Sequence, residues 1–255
     1  MKTDTDLAPQ LANCRDYWLG WGSAERVDGE LTYYRSGIPN GQVNGVLGLR
    51  DSAKVEQSIA YAAERLAGVP WMWWVGPDSA PGVAAELADH GAVRLGAMPV
   101  MAIRTDKVTP AEGPSDLDID VVRDADALKE WVHTFASSFG LPPETHDDLL
   151  RRESERHDAD RIVRFIGRRD GRPVGTSLLY DAHGVAGVYV VATAEDQRRQ
   201  GIGTALTTAA LTEGGKRGLA VGTLQSSALG FPVYQRMGFE PVTEYELFRL
   251  PDSEA

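Results

Sequence analysis

In the second half of the chain, short apolar runs typical of strands alternate with segments whose apolar residues recur at helical spacing. Residues 185–191 form an uninterrupted apolar run, as expected for a central strand buried on both faces. After a polar loop, apolar residues recur at i, i+3, i+4, i+7 and i+8 from Ile202, which predicts a helix with one buried face. Further strands are predicted at 117–122, 161–168, 172–180, 219–224 and 239–250, and helices at 125–139, 145–156 and near Tyr234.

The first half shows the same alternation. Strands are predicted at 31–38, 69–75 and 92–104, and two helices lie between them, one capped by Asp51 or Ser52 and one ended by Gly91. The order of helix, glycine stop and strand near Gly91 recurs near Gly238, which indicates a weak internal repeat. The pattern as a whole predicts an α/β fold with a mixed sheet.

One segment separates the halves. Residues 105–116 contain two prolines, a glycine and no large apolar side chain except Val108, which is typical of a linker. We therefore predict an N-terminal domain at 1–108, a linker at 109–116 and a second domain at 117–255.

Composition narrows the class of protein. The 255 residues include 26 basic and 37 acidic side chains, a formal net charge of −11, so no general attraction to nucleic acid or anionic lipid is expected. The single cysteine, Cys14, excludes an intrachain disulfide and a zinc site that needs two thiolates. The polar start and the lack of a long apolar run favour a cytoplasmic protein without a membrane partner. The histidines lack metal-ligand spacing, so no metal is expected.

The loop before the Ile202 helix is the segment most indicative of chemistry. Its residues are Arg198, Arg199, Gln200, Gly201, Ile202, Gly203 and Thr204. Glycines allow close approach of a ligand, and the free N–H groups of a first helical turn attract an anion, most naturally phosphate. The loop lacks the G-x-x-x-x-G-K-[ST] motif of a nucleotide-binding P-loop and the G-x-G-x-x-G motif of a dinucleotide fold.

The loop instead matches R/Q-x-x-G-x-G/A after a buried strand. With Tyr234-x-x-x-Gly238-Phe239 downstream, residues 117–250 resemble the GNAT superfamily of acyl-CoA-dependent N-acetyltransferases. The first half has the same element order but lacks the loop, and Leu87 stands where Tyr234 would be. The resemblance therefore implies a tandem protein with a GNAT-like second half and a degenerate GNAT-like first half.

The resemblance implies acetyl-CoA as co-substrate and assigns roles to particular residues. Backbone groups from Arg198 to Thr204 would hold the pyrophosphate, and Val191, Ala192 and Thr193 would hold the pantetheine arm and the thioester carbonyl. Ser227 stands at the family's frequent asparagine and would bond to the cofactor. Tyr234 would protonate the departing thiolate; the alternative is a tyrosine that only packs in the core.

The general base is not marked. A glutamate found on the central strand of some family members corresponds to Gly187 here, so a water chain, His183, Asp181 or a residue of the first half remains open. The implied function is direct transfer of an acetyl group to a primary amine of a small molecule. The alternatives are a protein-lysine or N-terminal acetyltransferase and a non-catalytic acyl-CoA-binding regulatory module. Either a monomer or a homodimer is expected.

Overall fold

The computed structural model describes residues 6–111 and 113–251 and shows a mixed α/β protein. The α-helices are α1 (Leu7–Leu19), α2 (Val55–Arg65), α3 (Val83–Asp89), α4 (Ala125–Ser138), α5 (His146–Ser154), α6 (Ile202–Lys216) and α7 (Phe231–Arg236). The strands are β1 (Glu25–Val27), β2 (Leu31–Arg35), β3 (Asn44–Leu49), β4 (Met72–Val75), β5 (Val93–Arg104), β6 (Leu117–Val121), β7 (Ile162–Arg169), β8 (Arg172–Ala182), β9 (Val185–Thr193), β10 (Val221–Gln225) and β11 (Glu240–Arg249). The predicted α/β class is confirmed.

Two compact units make up the chain, and each consists of two separated segments. Unit 1 comprises Met1–Cys14 and Met101–Val242, and unit 2 comprises Arg15–Val100 and Thr243–Ala255. The boundaries fall inside α1, β5 and β11. The domains expected at 1–108 and 117–255, around a linker at 109–116, stay a prediction, and residue 112 of that linker lies outside the described residues.

The sheet of unit 1 has the strand order β5-β10-β9-β8-β7-β6, in which β5 takes part through residues 101–104. Antiparallel ladders join β6, β7, β8 and β9, whereas β9 and β10 are parallel. A parallel pair needs a crossover connection, and α6 supplies it. The β7–β8 hairpin turns at Asp170 and Gly171, whose φ values of +49° and +74° are the left-handed conformation that a tight two-residue turn requires.

The core of unit 1 lies between α6 and the sheet. Ile202, Leu206 and Ala210 on one face of α6 pack with Ala186 and Val188 of β9, as the helical periodicity predicts. At Gly214 the helix approaches β9 so closely that an added Cβ would lie 2.6 Å from the Cβ of Ala186. This close contact fixes the C-terminal part of α6 against β9.

The sheet of unit 2 has the order β1-β2-β3-β4-β11-β5, in which residues 243–249 of β11 and 93–100 of β5 take part. Strands β3 and β4 are parallel and α2 connects them. Val46, Leu66, Trp73 and Leu87 are fully buried in its core. The order β3-α2-β4-α3-β5 therefore repeats the order β9-α6-β10-α7-β11 of the second half.

The glycine stops of the predicted repeat are present in both copies. Helices α3 and α7 are followed by Gly91 and Gly238, with φ values of +83° and +94°, and each leads into a strand. Glycine adopts this left-handed conformation without steric cost, which is why it ends the two helices.

Candidate active site

The loop before α6 presents a run of backbone N–H groups. Helix α6 begins after Gly201, whose φ of +83° is left-handed and which offers no side chain as a cap. The Ala205 N–H donates to the Gly201 carbonyl at 3.0 Å, as the first bond of the helix. Over the described residues, the N–H groups of positions 199–204 have no hydrogen-bond acceptor. With the positive end of the helix dipole, they can bind an anion.

This loop lies against the end of β9. A Cβ built on Gly203 would lie 3.5 Å from Thr193 Oγ1 and 3.8 Å from Val191 Cγ1. The side chains of Ala192 and Ile202 are buried, so these two residues offer only their backbone to a ligand. The structure thus brings together the predicted binding residues of the strand end and the first turn, which are Val191, Ala192, Thr193, Gly201, Ile202, Gly203 and Thr204.

Two of the three long side chains of the loop are engaged elsewhere. Arg198 donates from Nε to the Thr193 carbonyl at 3.3 Å and from Nη2 to the Ser138 carbonyl at 3.2 Å. The Gln200 side chain accepts from Arg169 at 2.7 Å. The side chain of Arg199 is exposed and has no hydrogen bond or ion pair within the described ranges. Arg199 is therefore the side chain of the loop that is available to a phosphate.

A gap opens between β9 and β10 beside this loop. The two strands pair from Val185↔Val221 to Gly187↔Thr223, but β9 continues to Thr193 and β10 to Gln225. On its other side β9 remains paired with β8 as far as Thr193↔Gly175. The backbone of β9 beyond Gly187 can therefore offer hydrogen bonds to a ligand placed in the gap.

Strand β9 also has a bulge beside the gap. Tyr189 pairs with Leu178 and Ala192 with Thr176, so two residues of β9 face the single residue Ser177. The first of the two, Val190, has a φ of +52°. A positive φ is unfavourable for a β-branched residue, which marks this position as strained.

Tyr234 lies on α7 and is buried, with a ring-centroid distance of 5.6 Å to Phe239. Burial raises the pKa of Tyr234 to about 12, and a hydrogen bond with the Thr207 side chain works in the opposite direction. The Thr207 hydroxyl also donates to the Gly203 carbonyl at 2.8 Å. The phenol is therefore connected through one side chain to the first turn of α6.

Ser227 lies in the loop before α7 and is exposed. Its hydroxyl accepts from the Gly230 N–H at 3.2 Å, and its carbonyl accepts from the Phe231 N–H at 2.9 Å. Ser227 thus fixes the start of the helix that carries Tyr234.

The elements of this site lie in a segment of the chain that matches a known family. Residues 126–239, which include β9, α6 and α7, match the acetyltransferase (GNAT) family. The chain carries a GNAT acetyltransferase domain. The chemistry of this family is acyl transfer with acetyl-CoA as the acyl donor.

Solved structures share the fold of the GNAT domain and of the rest of the chain. A GCN5-related N-acetyltransferase from Kribbella flavida matches with a TM-score of 0.73 and 18% identity, over 97% of this chain and 96% of that chain. One from Sphaerobacter thermophilus matches with a TM-score of 0.61 and 22% identity, over 77% and 66%. A tandem GNAT protein from the clavulanic acid biosynthesis pathway matches with a TM-score of 0.58 and 12% identity, over 93% of both chains. No curated protein matches this chain.

Unit 2 repeats the element order of the GNAT domain without its open loop. The helix turn before α2 is capped by Asp51, whose carboxylate accepts from the Ala53 N–H at 3.1 Å. This negative charge stands where the GNAT domain has uncapped N–H groups. The Ala80 N–H donates to the carbonyl of Leu49, the last residue of β3, at 2.7 Å. The end of β3 is therefore bonded within the unit, and no arginine-flanked G-x-G loop follows it.

The GNAT domain has a glycine where the resemblance would place a glutamate base. A Cβ on Gly187 would lie 2.1 Å from Oδ1 of Asn13, which belongs to the α1 part of unit 1. Asn13 is fully buried, donates to the carbonyls of Tyr180, Ala182 and Val185 at 3.0–3.3 Å, and accepts from the Tyr189 hydroxyl at 2.8 Å. Its carboxamide fills the space of a side chain at 187. Sequence reasoning missed Asn13, because nothing in the sequence links it to β9.

The two other candidate bases lie far from the loop. Asp181 pairs with Arg217 at 3.3 Å, and His183 lies in the β8–β9 hairpin. Thr193 is at the opposite end of β9, roughly 25 Å of extended strand away. Neither side chain can take a proton directly at that end of the strand.

The described residues contain neither a cluster of metal ligands nor a membrane-spanning helix. No group of three or more His, Cys, Asp or Glu side chains there could hold a metal ion. Among the helices of residues 6–111 and 113–251, none is long and apolar enough to span a membrane.

Proposed function

We propose that this chain transfers an acetyl group from acetyl-CoA to a primary amine of a small molecule. The observation that carries the proposal is the run of N–H groups at 199–204 without acceptors, a few ångströms from the open end of β9. A diphosphate fits such a run, and an extended amide-containing arm fits an unpaired strand edge. The small-molecule acceptor is a fold-level analogy with the tandem GNAT protein of clavulanic acid biosynthesis.

Different parts of the site would bind different parts of acetyl-CoA. The N–H groups from Arg199 to Thr204 would hold the pyrophosphate, with the Arg199 guanidinium as the mobile positive charge. The N–H of Arg198, also expected from the sequence to bind there, instead donates to the Glu195 carbonyl at 3.4 Å. Backbone groups of Val191, Ala192 and Thr193 would hold the arm of the co-substrate. Bound acetyl-CoA supplies an acyl group already activated as a thioester.

The protonation state of Tyr234 supports a role for it as a proton donor. With a pKa raised to about 12 by burial, its phenol is protonated throughout the neutral range and can donate to a departing thiolate. Ser227 would support this through the start of α7, and its exposed position also permits a bond to the co-substrate. Cys14 is buried in α1, so direct transfer without a cysteine acyl intermediate is expected.

A panel of amines assayed for free-thiol release from acetyl-CoA tests the proposal. The panel should include small primary amines, a lysine-containing peptide and a peptide with a free N-terminus, because the last two represent protein acetylation. Thiol release that requires a small amine, together with an acetylated product of the correct mass, is expected.

Two results would contradict the proposal. Release only with the peptides would assign the protein to lysine or N-terminal acetylation. Acetyl-CoA binding by calorimetry without release for any amine would indicate an acyl-CoA-binding module.

A further inference from the structure

The bulge of β9 requires a group that holds it. Val190 has a φ of +52°, a conformation that is strained for a β-branched residue. Such a conformation persists only where neighbouring groups compensate for it. One described side chain bonds directly to the carbonyl of this residue. Thr176 of β8 donates from Oγ1 to the Val190 carbonyl at 2.8 Å.

Thr176 is itself held in place. Its side chain is fully buried, and its backbone pairs with Ala192 on the far side of the bulge. The next residue, Ser177, donates from its hydroxyl to the Leu206 carbonyl of α6 at 2.8 Å, and its backbone carbonyl accepts from the Trp131 indole N–H at 3.3 Å. The strand opposite the bulge is therefore anchored to both α6 and α4.

The bond from Thr176 has a directional consequence. A trans peptide carries its N–H opposite its C=O. The Val190 carbonyl is directed to β8, so the N–H of Val191 points away from β8. It points to the other side of β9, where β10 no longer pairs with it.

We propose that Thr176 is a positioning residue for acyl transfer. Its hydroxyl holds the Val190 carbonyl, and the Val191 N–H is thereby aimed at the oxygen of the acyl group. The inference rests on the proposed function and adds to it a residue outside the loop of residues 198–204. A donor aimed at the developing negative charge contributes chiefly to the transition state.

Thr176→Val tests this role, because valine keeps the shape and removes the hydroxyl. We expect kcat to fall about 10- to 100-fold. KM for acetyl-CoA should stay within about threefold, because the substitution does not change the loop of residues 198–204. Thr176→Ser keeps the donor and should restore kcat to within about threefold of wild type.

Thr223→Val is the matched control. Thr223 is a buried β10 threonine of the same unit whose hydroxyl donates to the Met101 carbonyl at 3.4 Å. This variant should lower Tm by a similar amount and leave kcat unchanged. A Thr176→Val enzyme with wild-type kcat, or a serine variant as slow as the valine variant, would overturn the inference.

A second background keeps the test decisive if Thr176→Val fails to fold. Glycine adopts the φ of Val190 without penalty, so Val190→Gly should allow the Thr176→Val chain to fold. In that background the same drop in kcat relative to Val190→Gly alone is expected, and no drop would refute the role of Thr176. Wild-type enzyme that releases no thiol with any amine would instead contradict the proposed function.

Discussion

At the scale of single residues, Tyr234 combines burial with a hydrogen bond to Thr207, whose hydroxyl is bonded to the first turn of α6. If its phenol donates to the departing thiolate, Tyr234→Phe should lower kcat by about 10²- to 10⁴-fold and leave the affinity for acetyl-CoA nearly unchanged. Phenylalanine preserves the ring and its contact with Phe239, so Tm serves as the control. A kcat within about threefold of wild type, measured with chemistry rate-limiting, would leave Tyr234 a packing residue.

The same burial predicts a pH dependence of stability. The pKa of Tyr234 is raised from the ordinary value of 10 to about 12, so the folded state keeps its proton where the unfolded state loses it. This contribution is present in full below pH 10 and is lost as pH rises to 12. Between these values, urea unfolding should show a steeper loss of stability for wild type than for Tyr234→Phe. Parallel curves for the two proteins would contradict the raised pKa.

Position 187 has no room for a side chain, because Asn13, 174 positions away in the sequence, occupies that space. Gly187→Ala would drive a methyl group into Asn13 and Tyr189, and overpacking of this kind costs about 1–3 kcal/mol. We expect a lower Tm, and Asn13→Ala should recover part of the loss in the double variant. Strictly additive losses in the three variants would show that the two positions do not share space.

At the scale of elements, the first turn of α6 is where we propose that coenzyme A binds, and it has room for a side chain at position 203. The space above Gly203 is open to ordinary van der Waals contact, so Gly203→Glu should fold. The carboxylate would occupy the anion site and repel the pyrophosphate. Calorimetry should show no coenzyme A binding for Gly203→Glu and weakened binding for Gly203→Ala, the control for size. An unchanged Kd in the glutamate variant would refute the assignment.

Elements with a strong local signal could be predicted, and those held by distant contacts could not. The helical period from Ile202 and the apolar run before it place α6 and β9 correctly, because both elements bury the faces that the pattern marks. The hydrophobic pattern predicts neither α1 nor β3. The bulge at Val190 also escapes prediction, since it depends on Thr176 of the neighbouring strand. The loop backbone was predictable from its glycines, whereas the partners of Arg198 and Gln200 were not.

At the scale of the whole molecule, the two units differ at the helix turn where we propose that coenzyme A binds. Unit 2 caps its equivalent helix turn with Asp51 and bonds the end of β3 to Ala80. We therefore expect one coenzyme A per chain by calorimetry and none for Gly203→Glu. Two molecules per chain, or one remaining in that variant, would show that unit 2 binds the ligand.

The interleaving of the units has a consequence for biosynthesis. Unit 1 needs residues from α1 and from the stretch that ends at Val242, and unit 2 needs Thr243 and the residues that follow. A ribosome that has released only the first hundred residues has produced no complete unit, although domains generally fold as they emerge. Unit 1 can close only after Val242 has left the exit tunnel, and unit 2 only after β11 follows. Nascent chains arrested before residue 240 should therefore remain sensitive to protease along their whole length, and both units should become resistant almost together.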